Sequence, residues 1–339
     1  MPIITENNYT FTSADGATPI HVREWVPDCD INGVVQIAHG INEYIGRYEH
    51  FARYLASKGF VVVGNDHLGH GESVLGPEYL GFFALDEGWY KVVADMEQLR
   101  EQTAAKWPEA PYFLFGHSMG SFLTRTYLIR YPGAPLAGVI LSGTGQAPEP
   151  VVAAGRFLCD GDMLKNGPMH RSEAISNVAF GSYNKAFEPK RTKYDWLTRD
   201  ETIVDTYAQD PLCTFTPTTS LFRDMMYGLS IIGRRRNLEK MNKDLPIYFM
   251  SGDKDPVGGN GVQVAKVYSM FIRAGMRDVF YKFYKEGRHE MLNELNRDEV
   301  YRDMKDALDA VHEFFGADLD SAVKDAGDTA DAETTPAAE

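Results

Sequence analysis

The stretch Pro111-Tyr-Phe-Leu-Phe-Gly-His-Ser-Met-Gly120 joins an apolar run to a serine that has a glycine two positions away on each side. The segment that follows, 121–130, carries apolar side chains at helical spacing, so the pattern predicts a strand, a sharp turn and a helix. A Gly-x-Ser-x-Gly turn in that context is a nucleophile elbow, which exposes the serine hydroxyl where strand and helix meet. Glycines are needed on both sides of the serine because side chains there would collide where the strand and the helix approach closely. The stretch therefore predicts an α/β fold with Ser118 as a nucleophile.

A serine hydroxyl is a weak nucleophile at neutral pH, so it needs a base, and the base needs an orienting acid. In this architecture the acid follows the serine in the chain and the histidine comes last. Of nine histidines, His289 combines this order with a position just after a predicted strand. Asp253 and Asp255 both follow the preceding predicted strand, and Asp255 is preferred because it stands before Pro256-Val257. Asp253 is then expected to stabilise the turn.

The tetrahedral intermediate of such a reaction needs two backbone N–H groups directed at its oxyanion. Met119, the residue after the nucleophile, should supply one of them, and the loop after the third strand should supply the other. That strand is predicted over 33–38 and ends in His39-Gly40-Ile41. The N–H group of Ile41 is therefore the second candidate.

Predicted strands and helices alternate along most of the chain, which indicates a mostly parallel central sheet with helices on both faces. Segments near Tyr9–Thr12 and Ile20–Val26 are predicted as antiparallel edge strands. The alternation breaks between about residues 145 and 243, a stretch too long for a structureless loop. We predict a core from 1–144 and 244–315, an inserted helical cap from 145–243, and an acidic disordered tail from 316–339.

The predicted cap is rich in large apolar side chains and should cover Ser118, because it is inserted between the nucleophile and the acid. We expect most of these side chains to pack the cap onto the core and the rest to line a tunnel for an apolar group, where flexible methionines accept varied shapes. They are Phe157, Leu158, Met163, Met169, Phe180, Tyr183, Phe187, Tyr194, Trp196, Leu221, Phe222, Met225 and Met226.

Composition and charge limit the classes of function. The net charge of −14 argues against a nucleic-acid partner, although the tail contributes −6 of it. Cys29, Cys159 and Cys213 are widely spaced and odd in number, which favours a reducing compartment over a disulfide framework. The chain starts without the features of a signal peptide, and no apolar run approaches the length of a membrane span. A cytoplasmic location is therefore expected.

No metal or cofactor is expected. The run Gly258-Gly-Asn-Gly261 lacks the lysine and the serine or threonine of a phosphate loop. His67 and His70 could ligate a metal together with Asp66, but the glycine at position 69 marks a turn there. The oligomeric state stays open. An apolar cap could contact a lipid surface peripherally, although no clear amphipathic pattern supports this.

Together these motifs resemble the α/β-hydrolases of the monoacylglycerol lipase and lysophospholipase-like group of serine hydrolases. The likeness runs from about Gly33 to about Phe315. Its matching segments are 39–48, 65–73, 116–120, 252–255 and 287–289. The resemblance implies Ser118, Asp255 and His289 as a catalytic triad, with Ile41 and Met119 as oxyanion donors and no cofactor.

The resemblance also implies a serine ester hydrolase that works through an acyl-enzyme on Ser118. The favoured substrate is a small-molecule acyl ester such as a monoacylglycerol. A general carboxylesterase or lysophospholipase is the alternative, and an acyltransferase or a ligand-binding pseudo-hydrolase is a further one. In mammalian-type relatives a small residue and Gly-Glu-His follow the His-Gly pair, whereas Ile41-Asn42-Glu43-Tyr44 stands here, which leaves the preferred ester open.

Overall fold

An eight-stranded sheet runs through residues 2–310, the part of the chain that this computed structural model describes. The strands are β1 (Ile4–Thr12), β2 (Pro19–Pro27), β3 (Gly33–Ala38), β4 (Phe60–Asn65), β5 (Tyr112–His117), β6 (Gly138–Ser142), β7 (Ile247–Gly252) and β8 (Val279–Tyr284). Their order in the sheet is β1-β2-β4-β3-β5-β6-β7-β8. β2 pairs antiparallel with β1 and β4, and every other pair is parallel. The predicted mostly parallel sheet and the antiparallel pairing of its first two strands are confirmed, and β1 is an edge strand, whereas β2 lies between β1 and β4.

The central strands β3, β4 and β5 are buried along their whole length. Successive side chains point to opposite faces of a strand, so each of these strands feeds two cores. Val34 of β3 belongs to one apolar cluster and Val35 to the other. Apolar residues at both alternating positions explain why these strands read as continuous hydrophobic runs in the sequence.

Helices cover both faces of the sheet. They are α1 (Glu49–Ala56), α2 (Gly88–Lys106), α3 (Met119–Arg130), α4 (Glu149–Asn166), α5 (Glu173–Phe180), α6 (Glu201–Gln209), α7 (Pro211–Thr214), α8 (Thr219–Ile232), α9 (Arg235–Leu238) and α10 (Val262–Arg273). A last helix, α11, runs from residue 297 to residue 310, where the described part ends. Residues of α1 and α11 share one apolar cluster, whereas α2, α3 and α10 contribute to the other.

The chain between β6 and β7 holds α4 to α9, so this connection is helical. Two of these helices begin at ordinary N-terminal caps. The Asp200 carboxylate accepts hydrogen bonds from backbone N–H groups in the first turn of α6, and the Thr218 hydroxyl accepts one from a backbone N–H group of α8. The helices predicted near 150–160, 171–180, 201–208 and 218–232 occur as α4, α5, α6 and α8; α4 continues to Asn166, and the short helices α7 and α9 were not anticipated. The division of the chain at residues 144 and 243 stays a prediction.

Two further expectations from the sequence concern the C-terminal tail and membrane-spanning helices. The predicted acidic tail, 316–339, and the last part of the C-terminal core segment, 311–315, lie outside the described residues. Across residues 2–310, no helix is both long enough and apolar enough to cross a membrane.

Candidate active site

Ser118 lies at a strained turn between β5 and α3. Its backbone has φ 52° and ψ −120°, a conformation that non-glycine residues rarely adopt and that costs about 1–3 kcal/mol. The turn leaves no space for side chains beside it. A Cβ on Gly120 would overlap the carbonyl oxygen of Ala38, and one on Gly116 would come within 2.7 Å of the Gly120 carbonyl oxygen. The two glycines therefore let β3 and α3 pack directly against the elbow.

Asp255 and His289 are paired below the surface. His289 Nδ1 lies 3.0 Å from Asp255 Oδ1, and that oxygen also accepts a hydrogen bond from the backbone N–H of Val257 at 2.9 Å. Both side chains are almost fully buried. Asp253 instead accepts a hydrogen bond from the backbone N–H of Glu286 and ties the loops after β7 and β8 together. Of the two candidate acids, the structure therefore brings Asp255 to the histidine.

The environment of His289 determines its protonation. Burial by itself lowers the pKa of the imidazole, but the charge of Asp255 and the hydrogen bond to it raise that pKa, and the net result lies above the usual value of 6.5. The neighbouring His117, whose ring centre is 4.7 Å away, is shifted in the opposite direction. Burial and the charge of His289 lower the pKa of His117 to about 3, so His117 is neutral near pH 7.

Ser118 and His289 line the same cavity, and no hydrogen bond joins their side chains in the described structure. Contacts of this kind are often longer in unliganded enzymes than in substrate complexes. Gly143, which sequence reasoning missed, allows the imidazole to approach. It has φ 58°, and a Cβ there would lie 2.9 Å from the Cε1 atom of His289.

Ile41 and Met119 line the same cavity as Ser118. Met119 begins α3, where the backbone N–H groups of the first turn have no partner within the helix. Ile41 follows Gly40, where an added Cβ would be 3.1 Å from the Cβ of Ser118. Within residues 2–310, the N–H groups of Ile41 and Met119 take part in no hydrogen bond outside regular helices and strands. Both are therefore free to bind an oxyanion.

A buried ion cluster, Glu43–Arg47–Glu290, lies beside this site and was not predicted. Arg47 donates to Glu43 Oε2 at 2.8 Å and to both carboxylate oxygens of Glu290 at 2.8 Å. Glu43 Oε1 also accepts hydrogen bonds from the Tyr48 hydroxyl and from the backbone N–H of Gly40. The cluster therefore connects the turn before Ile41 with the residue after His289. The spacing of Glu43 and Arg47, four residues apart, was the available signal in the sequence.

The two carboxylates of the ion cluster differ. Burial raises the pKa of Glu43, and the attraction of Arg47 does not fully offset it. Burial also acts on Glu290, but there the charge of Arg47 and the paired hydrogen bonds dominate and lower the pKa to about 2. Glu290 is thus the ionised partner of Arg47, and Glu43 takes up a proton more readily than an exposed glutamate.

A cavity of about 1330 Å³ opens over Ser118, and residues of α4, α5 and α8 line it. This volume is at or above the upper end of ordinary small-molecule sites. Eight of the thirteen large apolar residues singled out in the sequence line it, more than the minority expected: Leu158, Phe180, Tyr183, Tyr194, Trp196, Phe222, Met225 and Met226. Packing and lining are not exclusive, because Phe222 and Met225 are buried in the core and also face the cavity.

His39, His67 and His70 form a buried group next to the site. The ring of His39 accepts a hydrogen bond from the backbone N–H of His67 at 2.8 Å, so its other nitrogen donates to the Gly40 carbonyl at 2.7 Å. Burial lowers the pKa of His67 to about 3 and that of His70 to about 4, which keeps both neutral. Among residues 2–310, no group of three or more His, Cys, Asp or Glu side chains is arranged to hold a metal ion.

Comparison with known proteins places this chain in a family. Residues 30–296 match the family described as "Serine aminopeptidase, S33". The chain is 29% identical to a monoacylglycerol lipase of Mycolicibacterium smegmatis, over 88% of this chain and 96% of that protein. It is 25% identical to the human monoglyceride lipase, over 84% of this chain and 83% of that protein.

A carboxyl esterase from Bacillus coagulans, solved in complex with glycerol, has a similar structure. The TM-score is 0.84 at 29% identity, and the match covers 91% of this chain and all of the esterase chain. The predicted α/β-hydrolase fold is thereby confirmed. Since the family match covers most of the sequence, this chain belongs to the serine aminopeptidase S33 family of α/β-hydrolases.

Proposed function

We propose that this protein is a serine ester hydrolase that cleaves carboxylic esters, most favourably monoacylglycerols or similar acyl esters. The observation that carries the proposal is the buried Asp255–His289 pair, whose histidine lines the same large, mainly apolar cavity as the strained Ser118. The lipases and the esterase similar to this chain support ester substrates.

In the proposed mechanism His289 takes the proton of the Ser118 hydroxyl as Oγ attacks the ester carbonyl carbon. The N–H groups of Ile41 and Met119 hold the oxyanion, and Asp255 holds the imidazole in the tautomer that accepts the proton. The C–O bond then breaks, and the alcohol leaves with the proton from His289. Water, deprotonated by His289, attacks the acyl-enzyme and releases the acid.

Residues 145–243 are proposed to act as a cap that binds the acyl chain. Support comes from the position of this segment between β6 and β7 and from the cavity-lining side chains of α4, α5 and α8. Met225 and Met226 suit a cavity that accepts acyl chains of different shapes. Peripheral contact of the cap with lipid and a cytoplasmic location stay proposals. The free thiols of Cys29, Cys159 and Cys213 are in keeping with a reducing compartment.

Peptide-bond hydrolysis is a second candidate function, because the description of the matching family names a serine aminopeptidase. An aminopeptidase needs an acidic group for the substrate's amino terminus. Three acidic residues line the cavity: Glu43, Glu173 and Glu290. Glu43 and Glu290 are bound to Arg47, and Glu173 is exposed. This arrangement favours a neutral acyl ester over a cationic peptide end.

The deciding experiment compares wild type with Ser118→Ala on nitrophenyl esters and 1-monoacylglycerols of increasing chain length, and on amino-acid nitroanilides. Ester turnover that peaks at medium or long chains and disappears in Ser118→Ala is expected. A peak at acetate or butyrate would favour a general carboxylesterase, and turnover of the anilides alone would favour a peptidase. Product analysis with added glycerol separates acyl transfer from hydrolysis.

A serine-directed phosphonate tests the covalent step. We expect wild type and Ser230→Ala to be labelled and Ser118→Ala to stay unlabelled. Ser230 is a matched control, because its hydroxyl bonds the carbonyl of Tyr227 within α8, outside the cavity lining. Folded wild type that is neither labelled nor active on any ester would instead indicate a ligand-binding pseudo-hydrolase.

A further inference from the structure

The oxyanion loop, residues 40–44, is held by one short part of the helical insertion. We call residues 207–215 the clamp segment; it includes the end of α6 and all of α7. The Tyr207 hydroxyl donates to the carbonyl oxygen of Asn42 at 2.9 Å. The Asn42 side-chain amide donates to the carbonyl oxygen of Phe215 at 2.6 Å, and the Tyr44 hydroxyl donates to Asp210 at 2.9 Å. Three hydrogen bonds therefore join the loop to residues more than 160 positions away in the chain.

Asn42 is the residue on which two of these bonds converge. Its φ of 57° lies in the left-handed region, which asparagine tolerates better than most residues. The clamp segment binds both its carbonyl oxygen and its side chain, so the strained conformation is held from two directions. On the other side of Ile41, the N–H of Gly40 is bound by Glu43 and its carbonyl oxygen by His39. Ile41 thus lies between two residues whose backbones are fixed, and the direction of its own N–H is fixed with them.

Tyr207 is itself rigid. Its side chain is buried, the guanidinium of Arg47 lies 4.8 Å from the centre of its ring, and the ring of Tyr194 packs 4.9 Å away. These contacts involve the ring and not the hydroxyl. Replacing Tyr207 with phenylalanine therefore removes the hydrogen bond to Asn42 while the ring stays packed.

We propose that Tyr207 and Asn42 are positioning residues for the reaction: the clamp segment holds the oxyanion loop so that the Ile41 N–H is directed at the oxyanion formed on Ser118. This inference rests on the proposed function. It assigns the helical insertion a part in the chemical step in addition to covering the substrate. An N–H group that rotates away from the oxyanion stabilises the transition state less, while binding of the ground-state ester is little affected.

The test compares Tyr207→Phe with Tyr227→Phe in the full-length enzyme. Tyr227 lies on α8 with its ring against Tyr90, outside the cavity lining, so its variant controls for losing a tyrosine hydroxyl from the insertion. Two probes are used. An alkyl trifluoromethyl ketone adds to Ser118 and forms a charged tetrahedral adduct, whereas an alcohol of the same chain length only fills the cavity.

We expect Tyr207→Phe to lower kcat about tenfold with KM within about twofold, less than the loss of about 100-fold or more on removing a whole oxyanion donor. Affinity for the trifluoromethyl ketone should fall by a similar factor, and affinity for the alcohol should not change. Asn42→Gly, which keeps the left-handed conformation but loses the bond to Phe215, should lower kcat about threefold. Tyr227→Phe should match wild type in all four measurements.

Two results would overturn the inference alone: unchanged kcat and ketone affinity in a folded Tyr207→Phe, or equal weakening of ketone and alcohol, which would mean a change of cavity shape. Should Tyr207→Phe fail to fold, Asn42→Gly carries the same comparison, and equal kcat to wild type there would overturn it. Wild type that neither turns over an ester nor forms the ketone adduct would overturn the proposed function together with this inference.

Discussion

The two sides of the candidate site are built differently. The core-held side comprises Ser118 and Met119 at the elbow with Asp255 and His289, each placed by the end of a strand and by close backbone contacts. The loop-held side is the oxyanion loop, which is hydrogen-bonded to the clamp segment and, through the N–H of Gly40, to Glu43 of the buried ion cluster. The difference teaches that one half of such a site is positioned by the ends of the strands of the sheet. The other half is positioned by hydrogen bonds from side chains that lie far away in the sequence.

Asp255→Asn should have the largest effect, because it disables the core-held side. The asparagine favours the wrong tautomer of His289, and a loss of about 10⁴-fold in kcat is expected. Asp253→Asn is the matched control, since Asp253 only accepts a hydrogen bond from the backbone of Glu286. It should keep kcat within about threefold of wild type. Steady-state kinetics on one nitrophenyl ester decides the point, and equal losses in both variants would contradict the assignment of the acid.

Arg47→Met tests the loop-held side. The change leaves Glu43 and Glu290 buried without their counter-charge, and breaking a buried ion pair costs about 3–5 kcal/mol of unfolding free energy. Arg235→Met, which removes an exposed pair with Glu239, should cost no more than about 1 kcal/mol. Urea unfolding measures both variants. A stability loss in Arg47→Met no larger than in Arg235→Met would show that the ion cluster does not hold the loop.

Gly120→Ala should disturb the elbow by overpacking. The new methyl group would overlap the Ala38 carbonyl oxygen, and because that atom is backbone the strands must shift, at about 3 kcal/mol. Gly133→Ala is the matched control, since nothing lies within 4 Å of a Cβ at that glycine. Thermal unfolding should show a lower Tm for Gly120→Ala alone. A Tm equal to that of Gly133→Ala would mean that the elbow tolerates a side chain.

The pH dependence of kcat/KM should show the smallest effect. His289 must be neutral to accept the Ser118 proton, so activity rises with pH through its pKa. Because Asp255 raises that pKa, the midpoint should lie above 6.5. One pH unit below the midpoint, activity should be about a tenth of its plateau. In Asp255→Asn the midpoint of the residual activity should move to lower pH, and a wild-type midpoint below 6.5 would contradict the raised pKa.

Sequence reasoning reached the sheet, the elbow and the acid–histidine pair because each has a local signal. Continuous apolar runs predict buried parallel strands, and Gly-x-Ser-x-Gly predicts the turn. The choice between Asp253 and Asp255 depended on their neighbours, and the contact with His289 supports the choice of Asp255. The share of apolar cap residues that line the cavity was underestimated. A side chain at the edge of a cavity can pack against the core and line the cavity at the same time.

The ion cluster and the clamp segment had no comparable signal. The four-residue spacing of Glu43 and Arg47 is a weak signal for their pairing, but nothing in the sequence indicates that Glu290 meets them. Tyr207 is one of 18 tyrosines, and only the packing of α6 against residues 40–44 gives its hydroxyl a partner. Contacts over such separations are formed by the folded chain as a whole.

The sequence by itself determined the order of strands and helices, the type of turn at Ser118, and which residues stand at the ends of strands. It could do so because backbone sterics and side-chain periodicity act over a few residues. Only the tertiary structure decided how large the cavity is and which residues hold the oxyanion loop. Those features depend on burial and on hydrogen bonds between distant segments. Burial and these hydrogen bonds stabilise the protein only when the sheet and the helical insertion have packed together.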